Sequence, residues 1–448
     1  MAVTVPGLPF QFCLQDSASG AQGFMFKSTH DAYIFDGIAS TVTKITDTDY
    51  PAVTVPGVAF LDGYFFVMDA TATIYNSGLE LPLSWNSLNF IQCEAEPDAG
   101  VAIAKYQNYV VGFGQWTTQF FYDAANPAGS PLSPIESSTI QVGCANGYSV
   151  VQFDDKLVWM GNCREKGRSV YACDGSMSPM QISDPSISRI LNADSLAEVY
   201  SWGAGFNGHS LYVLSLVTSG ITLVYDFSTK AWSHFTRRVA SAKTVSALSQ
   251  VNGVATATST AHGFADGDEV THSGAGQAGY NIATNITYID ADHYNYEVAA
   301  ATISPATGTI TATGSTERYF DLTYYANVAG KDVVQGATDG IIYEVLGTSY
   351  QDNGVSIDVT GRTTIFDAGS VDRKAIGSAE IVGDKVAATA LLRWSDDDYA
   401  TSNKYRKIDL AATRARIRRL GSFSRRSYEI RHTANTPFRV EALEIKGE

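Results

Sequence analysis

A hairpin that returns at near-constant spacing constrains the fold of this chain more than any other feature. Phe60-Leu61-Asp62-Gly63-Tyr64-Phe65-Phe66-Val67 reads as strand, two-residue turn, strand. The same reading fits Ile103 to Val111, Val150 to Trp159 and Ala204 to Val213. Counting from Asp62, the turns recur after 45, 47 and 53 residues, at Gln107, Asp154 and Asn207. Two apolar runs joined by two polar residues are the signal of a tight type I′ hairpin. Each hairpin is followed by a further strand with a late aromatic: Ile74-Tyr75, Phe120-Phe121-Tyr122, Val170-Tyr171 and Leu223-Val224-Tyr225. A four-stranded unit repeated every ~40–50 residues is the pattern of a propeller blade. Gly23 to Phe26 with Ala32 to Gly37 reads as an earlier unit, and Gly340-Ile341-Ile342-Tyr343 as part of a later one. The expected fold is an all-β propeller of about six blades.

The regularity breaks between Lys243 and Gly314, a stretch rich in Ala, Thr and Gly. That length without structure of its own is improbable, so it reads as a small β domain inserted at a loop tip. The expected partition is residues 1–242 for the first part of the propeller, 243–314 for the insert, and 315–448 for the remaining blades and a basic C-terminal segment. Composition agrees: in 448 residues, charged residues are 17% and aromatics 11%, with Val, Thr, Tyr, Phe and Gly abundant. That favours strands and turns and excludes a mainly helical bundle.

Charge narrows the partners. The formal net charge is −15, so the chain as a whole repels a duplex rather than gripping its phosphates. The distribution is uneven: from Arg362 onward there are 17 Lys+Arg against 12 Asp+Glu, and before it 14 against 34. An acidic body with a basic tail implies two surfaces with different partners. Met1 to Gly7 lacks the basic and apolar regions of a signal peptide, and no run approaches the ~18 apolar residues of a spanning helix, so membrane insertion is not expected. The five cysteines, Cys13, Cys93, Cys144, Cys163 and Cys173, have no zinc spacing and read as reduced, buried thiols, although Cys163 and Cys173 lie near enough in sequence to pair.

Catalytic motifs are weak. Gly203 to Gly208 and Gly274 to Gly279 match G-x-G-x-x-G, but the first runs into a strand and the second sits in a Gly-rich loop, so neither opens a helix on a pyrophosphate. The seven histidines form no metal pair, and no nucleophile elbow occurs. The expectation is no enzyme, no cofactor, no metal and no catalytic residue. Trp394-Ser395-Asp396-Asp397-Asp398 looks like a degenerate Asp box, in which Ser395 and Asp397 tie up turn amides; Tyr399 stands where a Gly is usual. A solvated acidic turn and a calcium loop are the other readings. Arg414, Arg416 and Arg418 alternate with Ala415 and Ile417, which puts the arginines on one face of a strand; Arg419, Arg425 and Arg426 follow. In an acidic chain this group reads as a subunit interface facing acidic neighbours.

The run Leu391-Leu392-Arg393-Trp394-Ser395-Asp396-Asp397, then Tyr405 to Ile408, Arg416 to Ser422 and Tyr428 to Arg431, resembles the closing segment of tail proteins of short-tailed bacteriophages. Leu157 to Gly161, Ser169 to Tyr171 and Gln181 to Ser183 resemble the same family, the packaged-DNA-stabilisation or tail hub (nozzle) proteins, and the insert looks like a small β module of phage structural proteins. The resemblance implies a virion structural protein, assembled in the host cytoplasm and present in six copies in the tail. It would sit below the portal and its adaptor, extend the DNA exit channel, help retain packaged DNA, and carry tail needle, spike or fibre proteins. DNA would pass without specific binding, which an acidic lumen favours. The rivals are a propeller glycoside hydrolase, which needs paired carboxylates in a central pocket, and a carbohydrate- or receptor-binding tail protein.

Overall fold

A computed structural model describes residues 11–16, 22–37, 39–206, 208–328, 330–337 and 340–447. Met1 to Gly7, Asn207 and the side chain of Cys13 lie outside the described residues. The chain divides into two compact units, Met1–Phe235 with Asp321–Glu344, and Thr236–Phe320 with Val345–Glu448.

The first unit holds six antiparallel sheets among the described residues. The first three are four-stranded meanders, from Gln11–Asp16 to Thr41–Lys44, from Ala59–Leu61 to Leu81–Gln92, and from Gly100–Tyr106 to Leu132–Pro134. The fourth, between Gly143–Cys144 and Met180–Gln181, has five strands and is followed by the helix Pro185–Ala193. Asp184 caps that helix, its carboxylate accepting from the amides of Ser186 and Ile187. The fifth runs from Val199–Phe206 to Ala231–Val245, a strand that begins in the first unit and ends in the second. The sixth has three strands, Leu322–Val328, Lys331–Gly336 and Ile342–Glu344.

Packing explains why these strands read as continuous apolar runs. Along Tyr64–Met68, Phe65 and Val67 join a core with Met25 and Ile34 of the first sheet, while Phe66 and Met68 join a core with Ile103 and Val110 of the third. Along Lys156–Cys163, Leu157 and Trp159 pack with Val111 and Phe120 of the third sheet, and Val158 and Met160 with Leu214 and Leu223 of the fifth. A strand's side chains alternate faces, so a sheet buried on both faces needs apolar residues at every position. Face-to-face stacking of small meanders is the propeller arrangement. The fifth and sixth sheets meet through Trp202, whose indole stacks on Tyr325 at 5.9 Å and donates to the Leu322 carbonyl at 3.0 Å. At the first of the repeated hairpins, Asp62 and Gly63 have φ of +47° and +90°, the left-handed pair of a type I′ turn, and Gln107 and Asp154 are left-handed too.

The second unit contains two bodies of paired sheets. In 236–320, the sheet of Ala247–Val251, Val254–Thr258, His293–Glu297 and Thr287–Tyr288 packs through Leu248, Ala257 and Tyr294 against Val270, Ile310 and Ala312. The insert is wider than the 243–314 expected, because Thr236 to Val245 forms an unbroken ladder with Ile310–Tyr319. In 345–448, Val359–Arg362, Ser427–His432, Thr389–Ser395 and Arg406–Asp409 form one sheet in that order. Lys374–Gly383 pairs with Ala415–Arg418, Ser422–Phe423 and Val440–Gly447 to form another, and Ile381, Leu392, Ile417 and Ile430 lie in their shared core.

This departs from the expectation that 315–448 supplies remaining blades: only Asp321–Glu344 groups with the propeller sheets. Val359–Arg362 pairs with a strand more than sixty residues further on, a long-range pairing that leaves no local hairpin signal.

Candidate interaction surfaces

The arginine strand has the alternation its sequence suggests. In Ala415–Arg418, Ala415 and Ile417 are buried, and Arg416 and Arg418 are exposed. Arg416 stands opposite Glu380, and Glu380 in turn opposite Glu444; Arg418 stands opposite Ser378, and Ser378 opposite Lys446. The outer face is therefore a mixed field in which basic groups predominate. Arg414 is exposed and lies 3.8 Å from the half-buried Glu380, a long contact worth little. Arg419 is exposed with φ +61°, and the Arg406 guanidinium donates to the carbonyls of Arg418 and Arg419 at 2.9 and 3.2 Å.

Arg425 and Arg426 part company. Arg425 is exposed and donates to Asp398 at 2.6 Å. Arg426 is buried, so it is not part of an exposed interface. Its guanidinium grips Asp396 through two bonds of 2.6 and 2.8 Å, donates to the Leu420 carbonyl, and lies 4.4 Å from the Phe423 ring centre. The planar fork and aromatic stacking suit arginine to such a site. Next to it, Ser395 donates to Asp397 at 2.7 Å and accepts from the Tyr399 amide at 3.0 Å; Asp397 accepts from the Thr401 amide at 2.8 Å and from its hydroxyl. Hydrogen bonds from Thr401 and then Ser395 hold the Asp397 carboxyl down at about 2. These groups close a turn upon themselves.

A second charged feature escaped the sequence reading. Arg238 and Asp268 of the insert and Asp358 and Arg431 of the C-terminal segment form a closed set of ion pairs inside the second unit. Arg238 reaches Asp268 at 2.5 Å and Asp358 at 3.1 Å; Arg431 reaches Asp268 at 2.5 Å and Asp358 at 2.6 Å. The side chains of Arg238, Asp268 and Arg431 are under 5% exposed. Two residues before Arg431 on the same strand, Glu429 accepts from Arg393 at 2.7 Å, from Arg362 and from the Tyr405 hydroxyl. Burial pushes the Glu429 carboxyl up, but these three donors outweigh it and leave it below its ordinary value. In Ser427–His432 every residue is buried, so Glu429 and Arg431 between Tyr428, Ile430 and His432 read in sequence as a wet face when they face other charges. Only their distant partners could have signalled otherwise.

A cavity of about 230 Å³ in the same unit is lined by the outer face of the insert sheet and by residues around Tyr405. Among the described residues no cluster of three His, Cys, Asp or Glu side chains is placed to hold a metal. Cys93, Cys144, Cys163 and Cys173 are free thiols, and burial pushes Cys93, Cys144 and Cys173 up to about 12. No helix among the described residues is long and apolar enough to cross a membrane.

The sequence model of the family described as bacteriophage P22 Gp10, beta-propeller, matches residues 14–263. The chain belongs to this family. The Gp10 propeller match takes in the first five sheets and the start of the insert, and it ends ahead of the Trp394 to Arg431 motifs. Among curated proteins, the tail hub protein gp10 of Salmonella phage P22 is 27% identical over 209 residues, 44% of this chain and 43% of that protein. The alignment thus spans less than half of either chain. Solved structures that align include the mitotic checkpoint complex (12% identity, TM-score 0.36, 72% of this chain and 84% of that chain). They also include BamB from Moraxella catarrhalis (12%, 0.31, 76% and 97%) and the WD40 propeller domain of Doa1 (9%, 0.34, 72% and 88%). The propeller assignment rests on the Gp10 family match.

Proposed function

We propose that this protein is a non-enzymatic structural component of a bacteriophage tail, working as the hub of a short tail. The observation that carries the reading is the Gp10 propeller match over 14–263, joined by similarity to a protein named tail hub. In this reading six copies form a ring below the portal and its adaptor, prolong the DNA exit channel, help hold the packaged genome, and seat needle, spike or fibre proteins. Six copies about an axis leave each subunit with two unlike flanks. The acidic excess before residue 362 and the exposed Arg414, Arg416, Arg418, Arg419 and Arg425 suit such flanks, which attract one another and fix the register of docking. Acidic groups toward the lumen keep the duplex free to move, since every phosphate contact would add drag.

Copy counting by mass spectrometry on purified virions of the source phage, with imaging of detached tails, tests the reading. Six copies at the portal-proximal end of the tail are expected. Absence from virions would overturn it.

A further inference from the structure

Lys27 is removed from solvent without a counter-ion. It closes the strand Gln22–Lys27 of the first sheet, and its side chain is fully buried. Among the described residues its amine makes one hydrogen bond, to the Val55 carbonyl at 2.8 Å. A lysine is almost never fully buried unless paired, because the ammonium has three hydrogens to place and loses its hydration. Burial accordingly brings the Lys27 amine down to about 7.

The bond falls at a joint between sheets. The Thr54 amide donates to the Thr29 carbonyl in a turn of the first sheet, and the Val55 amide to the Met68 carbonyl of the second. The Pro56 carbonyl accepts from the Ile103 amide of the third. Three consecutive residues thus tie three sheets, and Lys27 takes the Val55 carbonyl in their midst. Beside the joint, Met25, Ala32 and Ile34 of the first sheet pack on Phe65 and Val67 of the second.

The charges around the joint are spent elsewhere. Asp31 is paired with Lys44 at 2.7 Å, and Asp47 accepts from the Trp85 amide at 2.9 Å. Asp69 accepts from the Thr71 and Thr73 amides, and the exposed His30 contacts the Thr29 hydroxyl. Burial raises the hydroxyls of Tyr50 and Tyr75, which pack on the same core, so both stay neutral. A proton arriving on Lys27 therefore meets one carbonyl and an apolar wall.

We propose that this joint is a proton-operated latch: when Lys27 takes up a proton, its ammonium is drawn to water and the first sheet opens from the second ahead of the rest of the propeller. Opening of one supersecondary unit below the global transition is an ordinary property of folded chains. In the opened sheet the amine regains its ordinary value of 10.5, whereas in the closed joint it stays neutral down to about 7. Between these values opening takes up a proton, so it is favoured as pH falls; below about 7 both forms are charged and the dependence levels. The inference does not rest on the hub reading, because it concerns only how one sheet is held to the next.

Hydrogen exchange with mass spectrometry on the full chain, corrected for the intrinsic pH dependence of exchange, reads the opening. In the unaltered chain, protection of Gln22–Lys27 and Ala32–Asp36 is expected to rise about tenfold per pH unit from about 7 to 9, relative to Lys27→Met. The sheets after the second should not share that rise. Side-chain NMR of Lys27 in the unaltered chain checks the titration without any variant, with a midpoint near 7 expected. A midpoint near 10.5, the same pH response in Lys27→Met, or an equal response across all six sheets would each overturn the proposal.

Discussion

The two units are held together by opposite means. In the propeller, sheets meet through Phe65, Phe66, Trp159, Met160 and their neighbours, with apolar groups on both faces of each sheet. In the second unit, insert and C-terminal segment are joined by Arg238, Asp268, Asp358 and Arg431, charges removed from water and paired with one another. Apolar packing is tolerant of partner and register, so it suits a repeat that must stack on itself. A buried ion set is demanding: intact, it is nearly neutral against an apolar replacement, but broken it leaves a bare charge in a dry place. The first arrangement supplies bulk stability. The second makes one pairing of sheets far better than any slipped alternative.

Breaking one member of the ion set is the largest expected effect. Arg431→Met leaves Asp268 and Asp358 to share Arg238 alone, with one buried negative charge in excess, and is expected to destabilise the second unit by about 3–5 kcal/mol. Calorimetry should then show an early transition for that unit ahead of the propeller. A single unshifted transition would erase the contrast between the units. In the propeller, Trp159→Ala empties a buried site between the third and fourth sheets, where the indole donates to the Gly143 carbonyl at 3.1 Å. A loss of about 3–5 kcal/mol in chemical denaturation is expected, confined to the first unit.

Acid should distinguish the units next. His272 is stacked on Tyr296 at 4.0 Å and bonded to the Tyr294 hydroxyl at 3.0 Å, with the Ile282 carbonyl near its other nitrogen. Burial brings its pKa down to about 4. Unfolded, the ring returns to its ordinary value near 6.5. Below pH 6.5 the unfolded chain takes up a proton that the folded chain refuses, so stability falls as pH drops from about 6.5 to about 4 and then levels. The effect is on the order of 3 kcal/mol. Urea melts of wild type and His272→Phe across this range should diverge, and parallel curves would refute the assignment. Asp397→Ala unties the Ser395–Thr401 turn at an exposed site and should lower the melting midpoint slightly in the same melts. Smallest of all, Arg416→Glu with Arg418→Glu should change stability by under about 0.5 kcal/mol. The same pair should impair incorporation into tails, measured by copy number in virions; normal incorporation would remove these arginines from the interface.

The same contrast decides what was legible in the sequence. The propeller was, because its strands are neighbours in the chain and its turns carry their own signal at Asp62-Gly63 and its successors. The alternation from Arg414 to Arg418 was legible for the same local reason. The C-terminal body was not: Val359–Arg362 finds its partner in Ser427–His432, and nothing within either segment announces the other. Arg426 was misread as surface because a basic pair looks solvated until Asp396 and three aromatic rings are placed around it. The cavity was invisible for a related reason, since its walls come from residues more than a hundred positions apart.

The interleaving of the units has a consequence for manufacture. Synthesis proceeds from the N-terminal end, so five propeller sheets emerge first, then the insert, then the sixth sheet, then the C-terminal body. Asp268 leaves the ribosome long before Arg431, and until that strand arrives its carboxylate has only Arg238 and the Ala265 amide as partners. The second unit therefore acts as a completeness check: a chain that stops short of Ser427–His432 carries a finished propeller but an open, charged insert. Open segments of this kind are what proteases cut, so a chain lacking that strand is expected to be cleared faster than the full one.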